Sequence, residues 1–173
     1  MEKSIESWKY EQNFEDDSLN EIPESIYKFP DLEILCFGFN NISMIPDKFC
    51  GFFKNLEELS FEYNKFKTIP ISINLFVNLK VLNFSGNEIE EIPDSLCIEN
   101  LEILILSTNK IKNIPENINK MTKLSHINLN ENQIETLPDF FVNMANLIEL
   151  EVKKNKITYI PESLTTIRKK IHI

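Results

Sequence analysis

The amino-acid sequence predicts an α/β solenoid, a right-handed coil whose parallel strands line one concave face. The first observation is a set of prolines at intervals of 22 to 24 residues, each of which follows Ile or Leu. The second is an asparagine six residues before each of the last six of these prolines. A period of this length over the whole chain is typical of stacked coils and not of a closed globular core. The repeated prolines are Pro23, Pro46, Pro70, Pro93, Pro115, Pro138 and Pro161.

Six full units share the pattern LxxLxLxxNxIxxIP, in which x is any residue. One of them reads Leu79, Leu82, Phe84, Asn87, Ile89, Ile92 and Pro93. The pattern resembles the leucine-rich repeat family over almost the whole chain, and six matching units make the resemblance specific. The resemblance implies a horseshoe with about seven parallel strands inside and short α-helical or 3-10 turns outside.

Each position of the unit has a physical reason. In the LxL segment, alternation places the apolar side chains inward and their neighbours outward, as a short strand requires. The asparagine amide can donate and accept, so we expect it to satisfy backbone groups that the following turn leaves unpaired. The proline fixes φ and suits the first turn of a helix. The expected asparagine ladder comprises Asn40, Asn64, Asn87, Asn109, Asn132 and Asn155.

The chain is expected to form one repeat domain over residues 1–173. Residues 1–31 form a degenerate N-terminal capping unit, in which Ile5, Trp8, Tyr10 and Asn13 keep the LxxLxLxxN spacing and four extra residues precede Leu19. Terminal repeats are often atypical because they must cover an open core. Residues 32–173 hold the six full repeats, and the last of them is expected to lack a cap.

Composition excludes several classes of function. The formal net charge of −9 makes the chain a poor ligand for phosphate backbones, so no nucleic-acid partner is expected. No apolar run approaches the roughly 20 residues that span a bilayer, and the first residues lack an apolar signal-peptide core. Three cysteines without a cysteine-rich cap indicate a reducing compartment. We therefore expect the cytoplasm, with the nucleus as the alternative.

The outward strand positions hold the candidate binding surface. A fully solvated sheet should be polar there, yet apolar residues cluster at one end and in the middle of the chain. Such clusters often mark protein contacts. The alternative is that β-branched residues occupy strands because they suit strands. The expected partner-binding residues are Ile34, Cys36, Phe39, Glu58, Glu62, Tyr63, Val81, Asn83, Ile103, Ile105, His126 and Asn128.

The pattern gives no indication of catalysis. A Cys–His dyad would need Cys36 and His126, which lie four coils apart, or roughly 19 Å at the spacing of neighbouring strands. Proton transfer needs an approach of about 3 Å. A chain with three glycines offers no glycine-rich phosphate loop, and no Cys or His group has zinc-ligand spacing. We expect no catalytic residues, no cofactor, no metal and no enzymatic activity.

The leading hypothesis is an intracellular protein-binding scaffold or regulator. The 23-residue unit resembles the Ras-group leucine-rich repeat proteins, which scaffold small GTPase and phosphatase signalling, and also the phosphatase-1 regulatory class. That resemblance implies a phosphatase catalytic subunit or a protein of a small GTPase pathway as the partner, held by the concave face.

A self-assembling structural protein is the alternative. Residues 1–35 carry ten Asp or Glu against three Lys, whereas residues 150–173 carry two Glu against six Lys or Arg. Complementary ends favour head-to-tail contacts between copies, which form rings or filaments. The expected homo-oligomer contact is an exposed C-terminal edge of Ile167, Ile171 and Ile173.

Overall fold

The computed structural model describes residues 10–173 of the chain. These residues form one sheet of eight parallel strands, in which each strand pairs with the next along the chain. The arrangement confirms the predicted α/β solenoid, with one strand more than the seven expected. The strands are β1 (Glu11–Asn13), β2 (Ile34–Cys36), β3 (Glu58–Ser60), β4 (Val81–Asn83), β5 (Ile103–Ile105), β6 (His126–Asn128), β7 (Glu149–Glu151) and β8 (Ile171–His172).

Short helices on the opposite side begin directly after the repeated prolines. The proline before each helix has φ between −75° and −54°, the range that its ring imposes. Most of these helices are of the 3-10 type, which is common in pieces this short. The helices are α1 (Asp47–Phe52) and the 3-10 helices Glu24–Lys28, Ile71–Leu75, Glu116–Lys120, Asp139–Asn143 and Glu162–Lys170.

The 22-residue unit returns after Pro93 without a helix. Asparagines from both neighbouring coils hold its backbone instead. Asn74 of the preceding coil donates to one carbonyl of the return segment and accepts from one of its N–H groups, at 2.8 and 2.9 Å. Asn117 of the following coil donates to the carbonyl of Leu96. Side chains of adjacent coils thus supply hydrogen bonds to this segment, where the other units form a short helix after the proline.

A row of stacked phenylalanines runs through the N-terminal half of the core. The ring centroids of Phe14 and Phe37 lie 5.1 Å apart, those of Phe37 and Phe61 5.2 Å, and those of Phe61 and Phe84 5.5 Å. Aromatic pairs at such distances stabilise a core beyond the area they bury. Later coils place smaller side chains at the same position, namely Leu106, Leu129 and Val152, and these are fully buried.

The asparagine ladder joins each of the six full repeats to the coil before it. In the case of Asn87, Oδ1 accepts from the Phe66 N–H of the preceding coil at 3.0 Å. Nδ2 donates to the carbonyl of Phe61 in the preceding coil at 2.8 Å and to that of Phe84 in its own coil at 3.0 Å. The same bonds recur at Asn40, Asn64, Asn109, Asn132 and Asn155.

The expected register of the capping unit is wrong. Strand β1 pairs Gln12 with Leu35, and Phe14 stacks on Phe37. Phe14 therefore occupies the last position of the LxL segment, and Tyr10 precedes the strand. No four-residue insertion is needed, because Asp17 then falls at the asparagine position of a unit of ordinary length. Ile5 and Trp8 lie outside the described residues.

The C-terminal isoleucines are not all exposed as expected. Ile171 begins β8 opposite Leu150 of β7, and its side chain is 2% exposed within the core. Ile167 is partly buried against the core, and Ile173 is 47% exposed. The expectation that Ile171 lies on the surface is therefore wrong, because its strand extends the sheet and turns this side chain inward.

We expect Asn87→Ala to lower the free energy of unfolding by roughly 1–3 kcal/mol, because it leaves buried backbone groups of two coils without partners. Asn113→Ala is the matched control, since Asn113 is exposed on the loop of a neighbouring coil, and its effect should stay within about 0.5 kcal/mol. Urea denaturation followed by circular dichroism measures both. Equal midpoints for the two variants would contradict the structural role of the ladder.

Candidate functional site

The sheet brings nine of the twelve predicted binding residues onto one surface, and the other three, Phe39, Glu62 and Tyr63, follow strands β2 and β3. Within strands β2 to β7 the first and third side chains point away from the core, and the parallel register places them in two columns along the sheet. The first column runs Ile34, Glu58, Val81, Ile103, His126 and Glu149. The second runs Cys36, Ser60, Asn83, Ile105, Asn128 and Glu151. We call this surface the concave face.

The middle of the concave face is apolar. Val81 pairs with Ile103 in the first column, and Ile105 follows Asn83 in the second. Each of these three aliphatic side chains is half-buried by its neighbours and retains solvent-exposed area. Three adjacent aliphatic side chains are therefore partly exposed to solvent. The hydrogen bonding of the sheet does not require apolar residues at these positions.

Phe39 and Tyr63 form an aromatic pair at the rim beside the concave face. Their rings stack at 4.7 Å between centroids, and each side chain is 49% exposed. Both residues have positive φ, 56° and 49°, which is unusual for bulky side chains and costs stability. Gly86 holds the same rim position in the next coil, where a Cβ would lie 2.5 Å from the Tyr63 ring. The absence of a side chain at Gly86 therefore leaves room for the Tyr63 ring.

Carboxylates surround Cys36 at the N-terminal end of the concave face. Burial is the main reason that the pKa of the Cys36 thiol rises to about 11, and the carboxylates of Glu11, Glu15, Glu58 and Glu62 raise it further. The thiol is therefore protonated at neutral pH, whereas thiol nucleophiles react as thiolates. Cys36 lies on β2 and His126 on β6, so the structure does not bring these two side chains together.

A cleft of about 190 Å³ opens at the C-terminal end of the concave face. Ile103 and Ile105 line one side of it, and Glu149 and Glu151 line the other. His126 and Asn128, both predicted binding residues, lie on the strand between them. The cleft thus joins an apolar wall to an acidic one.

Asparagine amides orient the Glu151 carboxylate in this cleft. Its Oε2 accepts from Asn128 Nδ2 at 2.6 Å and from Asn130 Nδ2 at 2.7 Å. Glu149 Oε1 lies 3.2 Å from His172 Nε2. A similar contact occurs earlier on the face, where Asn83 Nδ2 donates to Glu62 Oε2 at 3.1 Å.

Sequence reasoning missed the two carboxylates of this cleft. Glu149 and Glu151 are not among the binding residues that the sequence predicted. The available signal was the pair Asn128 and Asn130, which occupies the outward positions of the preceding coil and can reach a carboxylate on the next strand.

Among residues 10–173, no group of three or more His, Cys, Asp or Glu side chains is placed to hold a metal ion. No helix in this part of the chain combines the length and apolarity needed to cross a membrane.

We expect the alkylation rate of Cys36 by iodoacetamide to keep rising, by about tenfold per pH unit, between pH 9 and pH 10, because its thiolate forms with a pKa of about 11. Glu58→Gln with Glu62→Gln should lower this pKa only in part, since burial is the larger cause. Glu90→Gln with Glu91→Gln, at exposed positions that do not influence the Cys36 thiol, is the control. Peptide mapping by mass spectrometry measures the rates, and a plateau near pH 9 would contradict this account.

Comparisons with known proteins agree with the fold. A leucine-rich repeat model matches residues 99–157, and a model of two leucine-rich repeat copies matches residues 54–97. No curated protein matches the chain.

Two solved structures extend the match. A leucine-rich repeat protein from Leptospira interrogans is 31% identical, with a TM-score of 0.79 over 90% of this chain and 40% of that one. An internalin from Listeria monocytogenes is 23% identical, with a TM-score of 0.77 over 92% of this chain and 46% of that one. The chain thus spans less than half of either relative. With repeat models over more than half of its residues and this fold, the chain belongs to the leucine-rich repeat family.

Proposed function

We propose that this chain is a non-enzymatic protein-binding module whose partner docks on the concave face. Leucine-rich repeat domains generally mediate protein–protein interaction, which supports the class of function. The observation that carries the choice of surface is the group formed by Val81, Ile103 and Ile105 in the middle of the sheet. These side chains keep exposed apolar area that a partner would bury.

The backbone that presents this surface is fixed before a partner arrives. Each of strands β2 to β7 is hydrogen-bonded to a neighbour on both sides, and the asparagine ladder holds the turn that follows it. A preorganised surface loses little conformational entropy on binding, so more of the contact energy appears as affinity.

The aromatic rim pair extends the apolar surface toward the N-terminal end. Phe39 and Tyr63 expose half of each ring in a backbone conformation that bulky residues rarely adopt. Stability alone does not favour aromatic side chains at these two positions, because five other coils place Asp16, Gly86, Thr108, Glu131 and Lys154 there. Aromatic residues are enriched at the centres of protein interfaces.

The finer assignment of the partner rests on the repeat pattern. Resemblance to the Ras-group and phosphatase-1 regulatory classes supports a phosphatase catalytic subunit or a protein of a small GTPase pathway, acting in the cytoplasm. Self-association stays a prediction, and the burial of Ile171 removes one of the three side chains on which it depended.

We expect Val81→Ser, Ile103→Ser and Ile105→Ser together to weaken partner binding by about tenfold or more, or about 1.4 kcal/mol, because the partner would lose its apolar contact. The triple Ile71→Ser, Leu75→Ser, Val77→Ser is the matched control, since it removes three exposed aliphatic side chains on the helical side. Affinity capture from the source cell with quantitative mass spectrometry identifies the partner, and titration with that partner gives each dissociation constant.

Circular dichroism should show that both triple variants keep the fold, because all six side chains retain exposure to solvent. If the concave triple binds the partner as well as the unmodified chain does, the partner docks elsewhere.

A further inference from the structure

We infer that the cleft at the C-terminal end of the concave face receives an arginine side chain of the partner. This inference rests on the proposed function and specifies the chemistry of its partner. The aliphatic part of the arginine would lie along Ile103 and Ile105, and its guanidinium would face Glu149 and Glu151.

The size of the cleft favours a single side chain over a small-molecule ligand. Its volume of about 190 Å³ is below the roughly 300–1,000 Å³ of typical ligand pockets. A cleft of this size on a surface proposed to bind protein suits one anchoring residue.

The two walls of the cleft match the two parts of an arginine side chain. Long basic side chains pack their methylene groups against apolar surface and keep the charged group next to water or an anion. Ile103 and Ile105 provide the apolar wall, and both are half-buried, so they are held in place by their neighbours. Glu149 and Glu151 provide carboxylates within the same cleft.

The Glu151 carboxylate is oriented for a further hydrogen bond. Asn128 and Asn130 both donate to Oε2, so the group is fixed while Oε1 receives neither of these bonds. A carboxylate held by two amides loses little side-chain freedom when a guanidinium binds. The planar fork of arginine donates to carboxylates in fixed directions, which lysine does not do.

The charge of these carboxylates is not neutralised by lysine or arginine within the described chain. Elsewhere in residues 10–173, lysines pair with acids of adjacent coils, as in Lys80 with Glu57 at 2.7 Å and Lys110 with Glu88 at 3.0 Å. Glu149 approaches His172, and Glu151 bonds to two neutral amides. Charge complementarity therefore favours a cationic occupant, and the arrangement offers no set of three metal-binding side chains in the described residues.

The test uses n-butylguanidinium, whose four carbons correspond to Cα to Cδ of an arginine, and the whole chain labelled with 13C at the isoleucine δ1 methyl groups. We expect saturable chemical-shift changes at the methyl groups of Ile103 and Ile105. The neutral isostere n-butylurea should give no saturable change, and n-butylammonium should bind more weakly because it lacks the planar fork. Absence of a change with n-butylguanidinium, or equal binding of n-butylurea or n-butylammonium, would overturn the inference.

Charge-neutral variants locate the effect. Glu149→Gln and Glu151→Gln should each weaken n-butylguanidinium binding by about fivefold, in line with a partly exposed ion pair. Glu91→Gln removes the same charge at an exposed position outside the cleft and should leave the dissociation constant unchanged. Equal effects of all three variants would show that net charge alone attracts the cation, and would overturn the site.

The same variants separate this inference from the proposed function. If the concave serine triple loses the captured partner while Glu149→Gln and Glu151→Gln retain its full affinity, the docking surface stands and the arginine contact is wrong. If n-butylguanidinium binds as expected but the serine triple keeps the partner, the cleft binds cations and the proposed docking surface is wrong.

Discussion

The structure depends on a single repeated contact, the asparagine side chain that joins one coil to the coil before it. Backbone hydrogen bonds between coils continue past each strand, as from the Tyr63 N–H to the Ser85 carbonyl at 2.8 Å, but other buried groups of the turn bond to a side chain instead. The asparagine amide supplies these bonds, because Oδ1 accepts from a buried N–H of the preceding coil while Nδ2 donates to carbonyls of both coils. Buried backbone groups without partners are costly, so this contact fixes how successive coils stack. Neither coil can shift without breaking bonds in the other.

Because the coils stack regularly, the outward side chains of the concave face can differ from coil to coil without a change of fold. Inward positions must stay apolar, and the asparagine must stay in the turn, but the outward positions carry no such demand. Along the chain these positions change from carboxylates around Cys36 to aliphatic side chains on β4 and β5, and then to the acidic cleft. Side chains of adjacent coils also orient one another, as Asn128 and Asn130 do for Glu151.

The sequence was sufficient for the features that recur in every coil and insufficient for those that occur once. Alternation, the asparagine ladder and the proline before each helix repeat six or seven times, so their positions could be predicted to the residue. The predicted register of the capping unit was wrong because Tyr10 and Asn13 happen to match the spacing of the repeat motif. The stacking of Phe14 on Phe37 shows the actual register. The burial of Ile171 depends on an additional strand, and the orientation of Glu151 depends on amide contacts across coils that no periodic pattern encodes.

The most direct measurement of the ladder is native-state hydrogen exchange of single amides in the Asn109→Ala variant. The Ile89 N–H donates to Asn109 Oδ1 at 2.9 Å, whereas the Ile134 N–H donates to Asn155 at 3.0 Å, two coils further along. If the asparagine holds the preceding coil, the Ile89 amide should lose far more protection than the Ile134 amide, because its opening no longer breaks a bond to the next coil. Equal protection losses at Ile89 and Ile134 would contradict the account.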